Sequence, residues 1–417
     1  MTQNLPFRIL AAAVCVGVGV AAVSGQTSST PSPEPGEVIR LLEQARDPGQ
    51  GGNAAKTLEQ LMTDLTTPAV SIAVVRNYEI VLVKAWGMAD IEAGLPASPS
   101  TLFQAASISK PVSAMGVLRA VQDGVFGLDD DINSILKSWR LLQKAEFLAK
   151  TPVTPRLLLS MTAGAAVSGF PGYLPSDPLP TVPQILGYDA HGRPTPANTP
   201  PVTIDWEPNT KYQYSGGGST ILQLALADAT GREFSEYLQQ VVLDPIGMTD
   251  SCFCQPLPAD KDPNAARSYG WVVRQDGYIG RGGAKWHVYP ELYAAGLWTT
   301  PTDLAKFMIE VQRTLDGQSN RVLSQAMARK MVTSGGVGYY ALGFTVGSDT
   351  PHRPAKAGEP ARYFGHTGGN WGFRANFEAH LTGGHGFVIM ANSDDANPLV
   401  FMELPARIRA AYGWDKD

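Results

Sequence analysis

The sequence predicts an α+β fold, in which a mainly antiparallel sheet is flanked by helices and carries an additional helical lobe. Three observations support this prediction. One predicted hairpin lies near the amino terminus, a second lies near the carboxyl terminus, and helix signals dominate the chain between them. Strands at both ends with helices between them indicate one sheet built from both termini, with the helical lobe inserted. A chain of 417 residues is long enough for one large domain of this kind.

The amino-terminal segment is typical of an export signal. Arg8 supplies a positive charge, and residues 9–23 form an uncharged apolar run that small residues follow. We therefore expect residues 1–25 to be a signal peptide and the protein to be periplasmic or secreted, with no stable membrane span after signal removal. The alternative is a retained single-helix anchor, although the run is short for a span of about 20 residues. Residues 26–36 are rich in Ser, Thr and Pro, which predicts a flexible linker.

Residues 37–417 are expected to form the folded domain, with the helical lobe over roughly residues 123–300. Its first elements are an amphipathic helix ending near residue 65 and a hairpin. The hairpin is predicted from the β-branched runs 69–75 and 79–86, which a short polar turn separates.

The central and carboxyl-terminal elements follow from the same signals. A helix is expected to begin near Ser107, because Pro111 then falls in the first turn, where proline is tolerated. Apolar periodicity and start signals predict further helices over 154–161, 220–230, 233–243 and 302–313. The remaining predicted elements are strands over 340–346, 373–381 and 386–392 and a closing helix over 399–412.

Charge and cysteine usage exclude several functions. The formal net charge is −5, so a nucleic-acid partner is not expected. No histidine lies within 30 residues of Cys252 or Cys254, which argues against a metal site there. We expect these two cysteines to form a local structural pair, and the sequence implies no metal and no organic cofactor.

Ser107 and Lys110 are the most informative pair of residues. A serine three residues before a lysine places both side chains on one helix face, one turn apart. There the lysine amine could take the serine proton and make a nucleophile without a histidine. About one or two such matches are expected by chance in a chain of this length. Ser134 and Lys137 form a second match, so the surrounding sequence must decide between the two.

Three short segments, 103–111, 211–218 and 363–372, each hold a reactive polar residue among small residues. Together, and in this order, they resemble the motifs of the serine β-lactamase and penicillin-binding-protein superfamily. The strongest resemblance is to class C β-lactamase-related serine hydrolases, which include esterases and D-amino-acid peptidases. It covers roughly residues 37–413 and implies a β-lactamase/transpeptidase-like form of the predicted fold.

The resemblance implies roles for individual residues. Ser107 would be the acylated nucleophile and Lys110 its proton partner. Tyr214 matches the tyrosine of the family's Tyr-x-Asn element, and it would relay a proton to the leaving group, existing partly as phenolate beside the lysine ammonium. Tyr212 is the alternative, but the glycines that follow Ser215 favour Tyr214, because backbone must come close there.

His366, Thr367 and Gly368 match the family's Lys-Thr-Gly element, and they are expected to bind substrate. By the resemblance, this element lies on an inner strand of the sheet. His366 could donate a hydrogen bond to a substrate carboxylate or to the catalytic tyrosine, with a charge that depends on pH. By the same resemblance, the N–H groups of Ser107 and Gly369 would form the oxyanion hole.

Two departures leave the substrate open. Gly216 stands where the family has asparagine, and His366 stands where β-lactamases have lysine. Both shift the prediction from a β-lactamase toward an esterase or peptidase. We therefore expect an exported serine hydrolase that forms an acyl-enzyme on Ser107 and cleaves an ester, a lactam or a D-amino-acid amide in a small-molecule or peptide substrate. The alternatives are a true class C β-lactamase and a non-catalytic protein that binds penicillin or cell-wall fragments. The oligomeric state is not predicted.

Overall fold

The computed structural model describes residues 33–142, 151–187, 196–270, 284–335 and 337–414. The predicted signal peptide and most of the predicted linker lie outside these residues. The strands are β1 (Ala69–Arg76), β2 (Glu79–Asp90), β3 (Leu95–Pro96), β4 (Phe103–Gln104), β5 (Trp298–Thr299), β6 (Thr345–Gly347), β7 (Tyr363–Asn370), β8 (Phe373–His380) and β9 (Gly386–Ala391). The helices are α1 (Pro35–Glu43), α2 (Leu58–Asp64), α3 (Ser109–Gln122), α4 (Ile132–Ile135), α5 (Pro155–Leu159), α6 (Val182–Leu186), α7 (Gly216–Thr230), α8 (Phe234–Leu238), α9 (Asp244–Ile246), α10 (Leu292–Ala295), α11 (Pro301–Leu315), α12 (Gln325–Met331) and α13 (Leu404–Tyr412).

The central feature is a seven-stranded antiparallel sheet in the order β3-β2-β1-β9-β8-β7-β6. Both predicted hairpins are present, as β1–β2 and β8–β9. β1 also pairs with β9, with Val70 opposite Ala391, so the two ends of the chain meet in the middle of the sheet. The predicted α+β class is therefore confirmed.

Helices cover both faces of the sheet, which explains why β1 is apolar almost throughout. Val70 and Ile72 pack in one cluster with apolar residues of α1, α2 and α13. Ala73 and Val75 lie on the opposite face, in a second cluster that includes residues of α3 and α11. This second face positions the site, because α3 begins beside β7.

Several predicted elements are shorter in the structure or are interrupted. The strand expected over 340–346 is wrong in its first part, because Gly343 (φ +116°) turns the chain and only Thr345–Gly347 is a strand. The helices predicted over 233–243 and 399–412 each contain a π-helical turn, at Gln239–Leu243 and at Leu399–Glu403. Apolar periodicity does not distinguish these turns from regular helix.

Cys252 and Cys254 form a disulfide, a pairing that the sequence alone did not establish. They lie between α9 and α10, where the backbone of Cys252 pairs with Trp298 of β5. Among the residues that the structure describes, no helix is long and apolar enough to cross a membrane.

Candidate active site

Ser107 lies on a tight 3₁₀ turn, Ala106–Ile108, that leads into α3. Ala106 has a φ of +50°, which is uncommon for a residue with a side chain and often marks a functional position. Ala106 and Ile108 are buried, whereas Ser107 is partly exposed. The turn thus presents the Ser107 hydroxyl to solvent while anchoring its neighbours in the core.

Lys110 lies one turn further along the chain and points at Ser107. Its Nζ is 3.0 Å from Ser107 Oγ and donates a second hydrogen bond, of 2.8 Å, to the carbonyl oxygen of Ala294 in α10. The side chain is buried, and this burial lowers the pKa of Lys110 to about 7. A substantial fraction of Lys110 is therefore a neutral amine near pH 7 and able to accept a proton.

The second serine–lysine match has no such arrangement. Ser134 Oγ donates to the carbonyl oxygen of Asp131, at 2.6 Å. Lys137 Nζ donates to the carbonyl oxygen of Asp228, also at 2.6 Å. Both residues are exposed, so neither is positioned to activate the other.

Tyr214 completes the group around Ser107. Its ring centroid is 4.9 Å from Lys110 Nζ, and its hydroxyl hydrogen-bonds to Ser107. Burial raises the pKa of Tyr214, and the hydrogen bond to Ser107 opposes this rise only in part. The expected phenolate character is therefore wrong for the resting site, where a neutral phenol is favoured. Tyr212, the alternative tyrosine, instead hydrogen-bonds to Tyr339.

His366 lies on β7 and faces this group, but its ring nitrogens have other partners. Nδ1 is 2.6 Å from the carbonyl oxygen of Thr367, and Nε2 is 2.9 Å from the hydroxyl of Tyr340. Burial and the nearby Lys110 lower the pKa of His366 to about 3. In the unliganded site His366 is thus neutral at physiological pH, and neither nitrogen is directed to Tyr214.

The backbone of β7 passes directly beside the Ser107 turn. β6 pairs only with Tyr363–Gly365, so the following residues of β7 lie beyond the end of that strand. A Cβ atom at Gly368 would lie 2.3 Å from the carbonyl oxygen of Ala105, so only glycine fits at this approach. The next residue, Gly369, is exposed and lines the same cavity as Ser107. The oxyanion hole formed by the N–H groups of Ser107 and Gly369 remains a prediction.

A cavity of about 360 Å³ brings most of the predicted residues together. Its described lining residues are Ser107, Tyr212, Tyr214, Tyr339, Thr345, His352, His366, Thr367 and Gly369. Sequence reasoning missed Tyr339, Thr345 and His352, which follow no motif and reach the cavity from the segments around β6. A larger groove beside α2 and Trp86 contains none of the predicted site residues.

Asn370, at the end of β7, is a further residue whose role the sequence did not reveal. Its Nδ2 donates to Gln104 Oε1 at 2.7 Å and to the carbonyl oxygen of Ala295 at 3.1 Å. These bonds connect β7 to β4 and to α10, the helix whose carbonyl group holds Lys110. Asn370 thus helps to fix the distance between the sheet and the lysine.

The structure also shows what surrounds Gly216, which stands where the family has asparagine. Gly216 is the first residue of α7, and Ser215 caps the helix by accepting a hydrogen bond from the Gly218 N–H. A Cβ atom at Gly216 would lie 2.9 Å from the ring of Phe170 and 3.2 Å from the carbonyl oxygen of Ser168. Phe170 therefore fills the space that a side chain at position 216 would occupy.

Glu291 immediately precedes α10. Because its carboxyl group is buried, we expect it to make the stability of the protein depend on pH. It is buried, neither of its carboxylate oxygens has a hydrogen-bond partner among the described residues, and burial raises its pKa from 4.5 to about 8. Between these values the folded protein holds more protons than the unfolded chain, so this group makes stability fall as pH rises. In Glu291→Gln we expect the free energy of unfolding to fall less steeply with pH, by about 1 kcal/mol per pH unit.

Urea unfolding between pH 5 and 8 measures this effect, with Glu59→Gln as the control on an exposed carboxylate. A wild-type slope that Glu291→Gln leaves unchanged would show that Glu291 ionises normally in the folded protein.

A second prediction concerns Gly368. Gly368→Ala places a methyl group against the carbonyl oxygen of Ala105, so β7 must move away from the Ser107 turn. Because a displacement of about 1 Å at reacting groups can reduce turnover about 10²-fold, we expect a loss of that order in kcat. Gly335→Ala is the control, since a Cβ atom at that position meets nothing within 4 Å. Equal activity of the two variants would contradict the tight packing of β7 on this turn.

Solved structures that superpose on this fold are penicillin-binding-protein-like. An octameric penicillin-binding protein homologue from Pyrococcus abyssi superposes with a TM-score of 0.65 at 20% identity, over 85% of this chain and 76% of that one. A penicillin-binding protein from Bacillus halodurans superposes with a TM-score of 0.63 at 19% identity, over 85% of this chain and 98% of that one. The fold is therefore that of the β-lactamase and penicillin-binding-protein class.

The family follows from the sequence. The Beta-lactamase family model matches residues 54–412, and the chain belongs to this family, whose members are mostly serine hydrolases. This confirms the resemblance that the three motifs indicated.

Curated relatives match over a shorter region. A D-aminopeptidase of Gluconobacter oxydans is 32% identical over 186 residues, which are 43% of this chain and 31% of that protein. Protein flp of Staphylococcus aureus is 24% identical over 197 residues, which are 45% of this chain and 35% of that protein. The matched region thus spans about a third of the length of these relatives.

Proposed function

We propose that this protein is an exported serine hydrolase that forms an acyl-enzyme on Ser107. One observation carries the proposal: the buried Lys110 amine, with a pKa near 7, is 3.0 Å from the Ser107 hydroxyl. This separation is within the range that proton transfer requires, and the lowered pKa makes the amine available as a base.

In the first step, Lys110 Nζ takes the proton from Ser107 Oγ as this oxygen forms a bond to the substrate carbonyl carbon. The carbonyl oxygen becomes an oxyanion, for which the N–H groups of Ser107 and Gly369 are the proposed donors. Such backbone donors typically contribute about 10²–10³ in rate.

In the second step, the bond to the leaving group breaks and the Tyr214 hydroxyl gives its proton to the departing oxygen or nitrogen. The Lys110 ammonium restores this proton, which returns both groups to their neutral forms. The neutral phenol that burial favours suits this role, because a phenolate would have no proton to donate.

Deacylation reverses the sequence with water. The Tyr214 hydroxyl takes a proton from water and passes its own to Lys110 Nζ, so that Lys110 becomes the ammonium while the water oxygen attacks the acyl carbon. The Ser107 ester bond then breaks, and Ser107 Oγ takes back a proton from the same pair. The products are a carboxylic acid and free enzyme, and neither a metal nor a cofactor enters a step.

Two features support export. Residues 1–25 have the pattern of a signal peptide, and the Cys252–Cys254 disulfide suits an oxidising compartment such as the periplasm or the exterior of the cell. Comparing the mass of the mature protein with that of the full chain tests this part of the proposal.

Two alternatives receive less support. Phe170 beside Gly216 and the neutral His366 disfavour a true class C β-lactamase, because the groups expected in that enzyme are replaced. A non-catalytic binding protein would have no need of the base at Lys110.

Parallel assays on nitrocefin, short p-nitrophenyl esters and D-Ala-D-Ala peptides test the proposal. We expect turnover of at least one of these substrates, and we expect Ser107→Ala to abolish it. Binding of penicillin without turnover of any substrate would favour the receptor.

A further inference from the structure

The cavity beside Ser107 has an aromatic wall. Tyr212 and Tyr339 line it, their ring centroids are 5.5 Å apart, and their side chains hydrogen-bond to each other. The buried Tyr340 stacks on Tyr212, with 6.3 Å between the centroids. The wall therefore presents aromatic rings and neutral hydroxyl groups but no charge, and the Tyr340 hydroxyl is bonded to His366.

His366 offers this cavity no free N–H group. Its Nδ1 faces the carbonyl oxygen of Thr367, which can only accept, so Nδ1 carries the single proton of the neutral ring. Nε2 then accepts a hydrogen bond from the Tyr340 hydroxyl. A substrate carboxylate would meet neither a charge nor a donor at the position where β-lactamases have lysine.

His352, like His366, has one ring nitrogen that carries a lone pair and no proton. The amide of Asn376 is oriented by its Nδ2, which donates to the carbonyl oxygen of Val400 at 3.2 Å. Asn376 Oδ1 therefore accepts from His352 Nε2, at 2.8 Å. Burial keeps this ring neutral as well, because it lowers the pKa of His352 to about 4. Nδ1 of His352 consequently has no proton to offer.

Two nearby cations, Lys110 and Arg374, are engaged in other contacts. Lys110 is buried, and its Nζ donates to Ser107 Oγ and to the carbonyl oxygen of Ala294. Arg374 lies beside Gly369 but forms an ion pair of 2.8 Å with Asp394. Among the described lining residues of the cavity, none carries a charge at neutral pH. Thr367 contributes a hydroxyl, which does not neutralise an anion.

We infer that this cavity selects substrates whose groups next to the reacting carbonyl carry no negative charge, so that neutral esters and amides are preferred over carboxylate-bearing lactams and peptides. The inference rests on the proposed acyl-enzyme chemistry and specifies its substrate class. The physical reason is that a carboxylate leaving water for this cavity would find no cation among the described lining residues to compensate its lost hydration.

Two substrate pairs of matched shape test the inference. The first pair is p-nitrophenyl 4-carbamoylphenylacetate and its 4-carboxy analogue, which differ in the acyl group. The second is 3-carbamoylphenyl phenylacetate and its 3-carboxy analogue, which differ in the leaving group. We expect kcat/KM to favour the carboxamide by about 10- to 100-fold in at least one pair. The inference would be overturned if neither pair showed a preference for the carboxamide.

Tyr339 provides a variant that adds a cation to the wall. Tyr339→Arg should reduce the preference for the carboxamide by about tenfold, whereas Tyr339→Phe should retain it. Tyr78→Arg, in the β1–β2 turn where Tyr78 hydrogen-bonds to Asp316, is the control for adding an arginine elsewhere. A preference that Tyr339→Arg leaves unchanged would show that charge in this cavity does not govern selection. If Tyr339→Arg does not fold, the two wild-type pairs still decide the question.

Failure of the inference and failure of the proposed function give different results. Ser107→Ala measured on the preferred substrate separates them. Turnover that survives in this variant contradicts the acyl-enzyme, whereas Ser107-dependent turnover that favours carboxylates contradicts only the inferred selectivity.

Discussion

Ser107→Ala is expected to lower kcat by roughly 10⁴- to 10⁶-fold, because it removes the atom that forms the bond to the substrate. Losses of this size are typical when a covalent nucleophile is deleted and only the oxyanion donors and binding contacts remain. The fold should survive, since Ser107 is partly exposed and its buried neighbours hold the turn. Steady-state kinetics on the substrate preferred by the wild type measure the effect.

The second serine–lysine match supplies the control. Ser134→Ala removes an exposed hydroxyl that bonds only to local backbone among the described residues, so kcat should stay within about twofold of the wild type. A large loss in Ser134→Ala, or a small one in Ser107→Ala, would show that the wrong serine has been assigned.

Lys110→Met is expected to lower kcat by about 10³- to 10⁴-fold, because methionine fills a similar volume but cannot accept the Ser107 proton. In the wild type, kcat/KM should rise with pH through about 7, as Lys110 loses its proton and becomes a base. The variant should lack this rise. A pH–rate profile of both proteins therefore reports on Lys110 itself and not only on the integrity of the fold.

Lys110→Met should lower activity but raise stability. Between about pH 7 and 10.5 the folded protein holds fewer protons at Lys110 than the unfolded chain, so this group makes stability rise with pH over that interval. Replacing it by methionine removes the cost of burying the amine, and the variant should be more stable than the wild type at pH 7 and below.

Lys137→Met, at the exposed second match, should alter neither the pH–rate profile nor this stability curve. If Lys110→Met were inactive and also less stable, the lysine would be a structural residue and not the base.

The sheet could be predicted because its strands carry local signals. The β1–β2 and β8–β9 hairpins follow from short-range alternation and turn residues, and both are present. β7 has little β-propensity, since it contains Gly365, Gly368 and Gly369, and only the family resemblance identified it as a strand. The glycines of β7 are needed because the strand packs closely against β8 and the Ser107 turn. The Ser107 turn is far from β7 in the sequence, so local sequence patterns do not reveal this packing.

The site was predictable in its reactive residues but not in its surroundings. Ser107, Lys110 and Tyr214 fall in recognisable motifs, and the structure brings them together. Their protonation was not predictable, because the neutral forms of Tyr214 and His366 result from burial by distant segments. His352 reaches the cavity from outside every motif, so the character of the substrate pocket emerges only from the fold.

The central claim is that Ser107 carries the acyl group. The most direct test treats the purified protein with a fluorophosphonate and, separately, with a β-lactam, and maps the adducts by mass spectrometry. We expect a single fluorophosphonate adduct on the peptide that contains Ser107, and we expect no adduct on this peptide in Ser107→Ala. An adduct on Ser134 or another serine, or labelling that persists in Ser107→Ala, would contradict the claim.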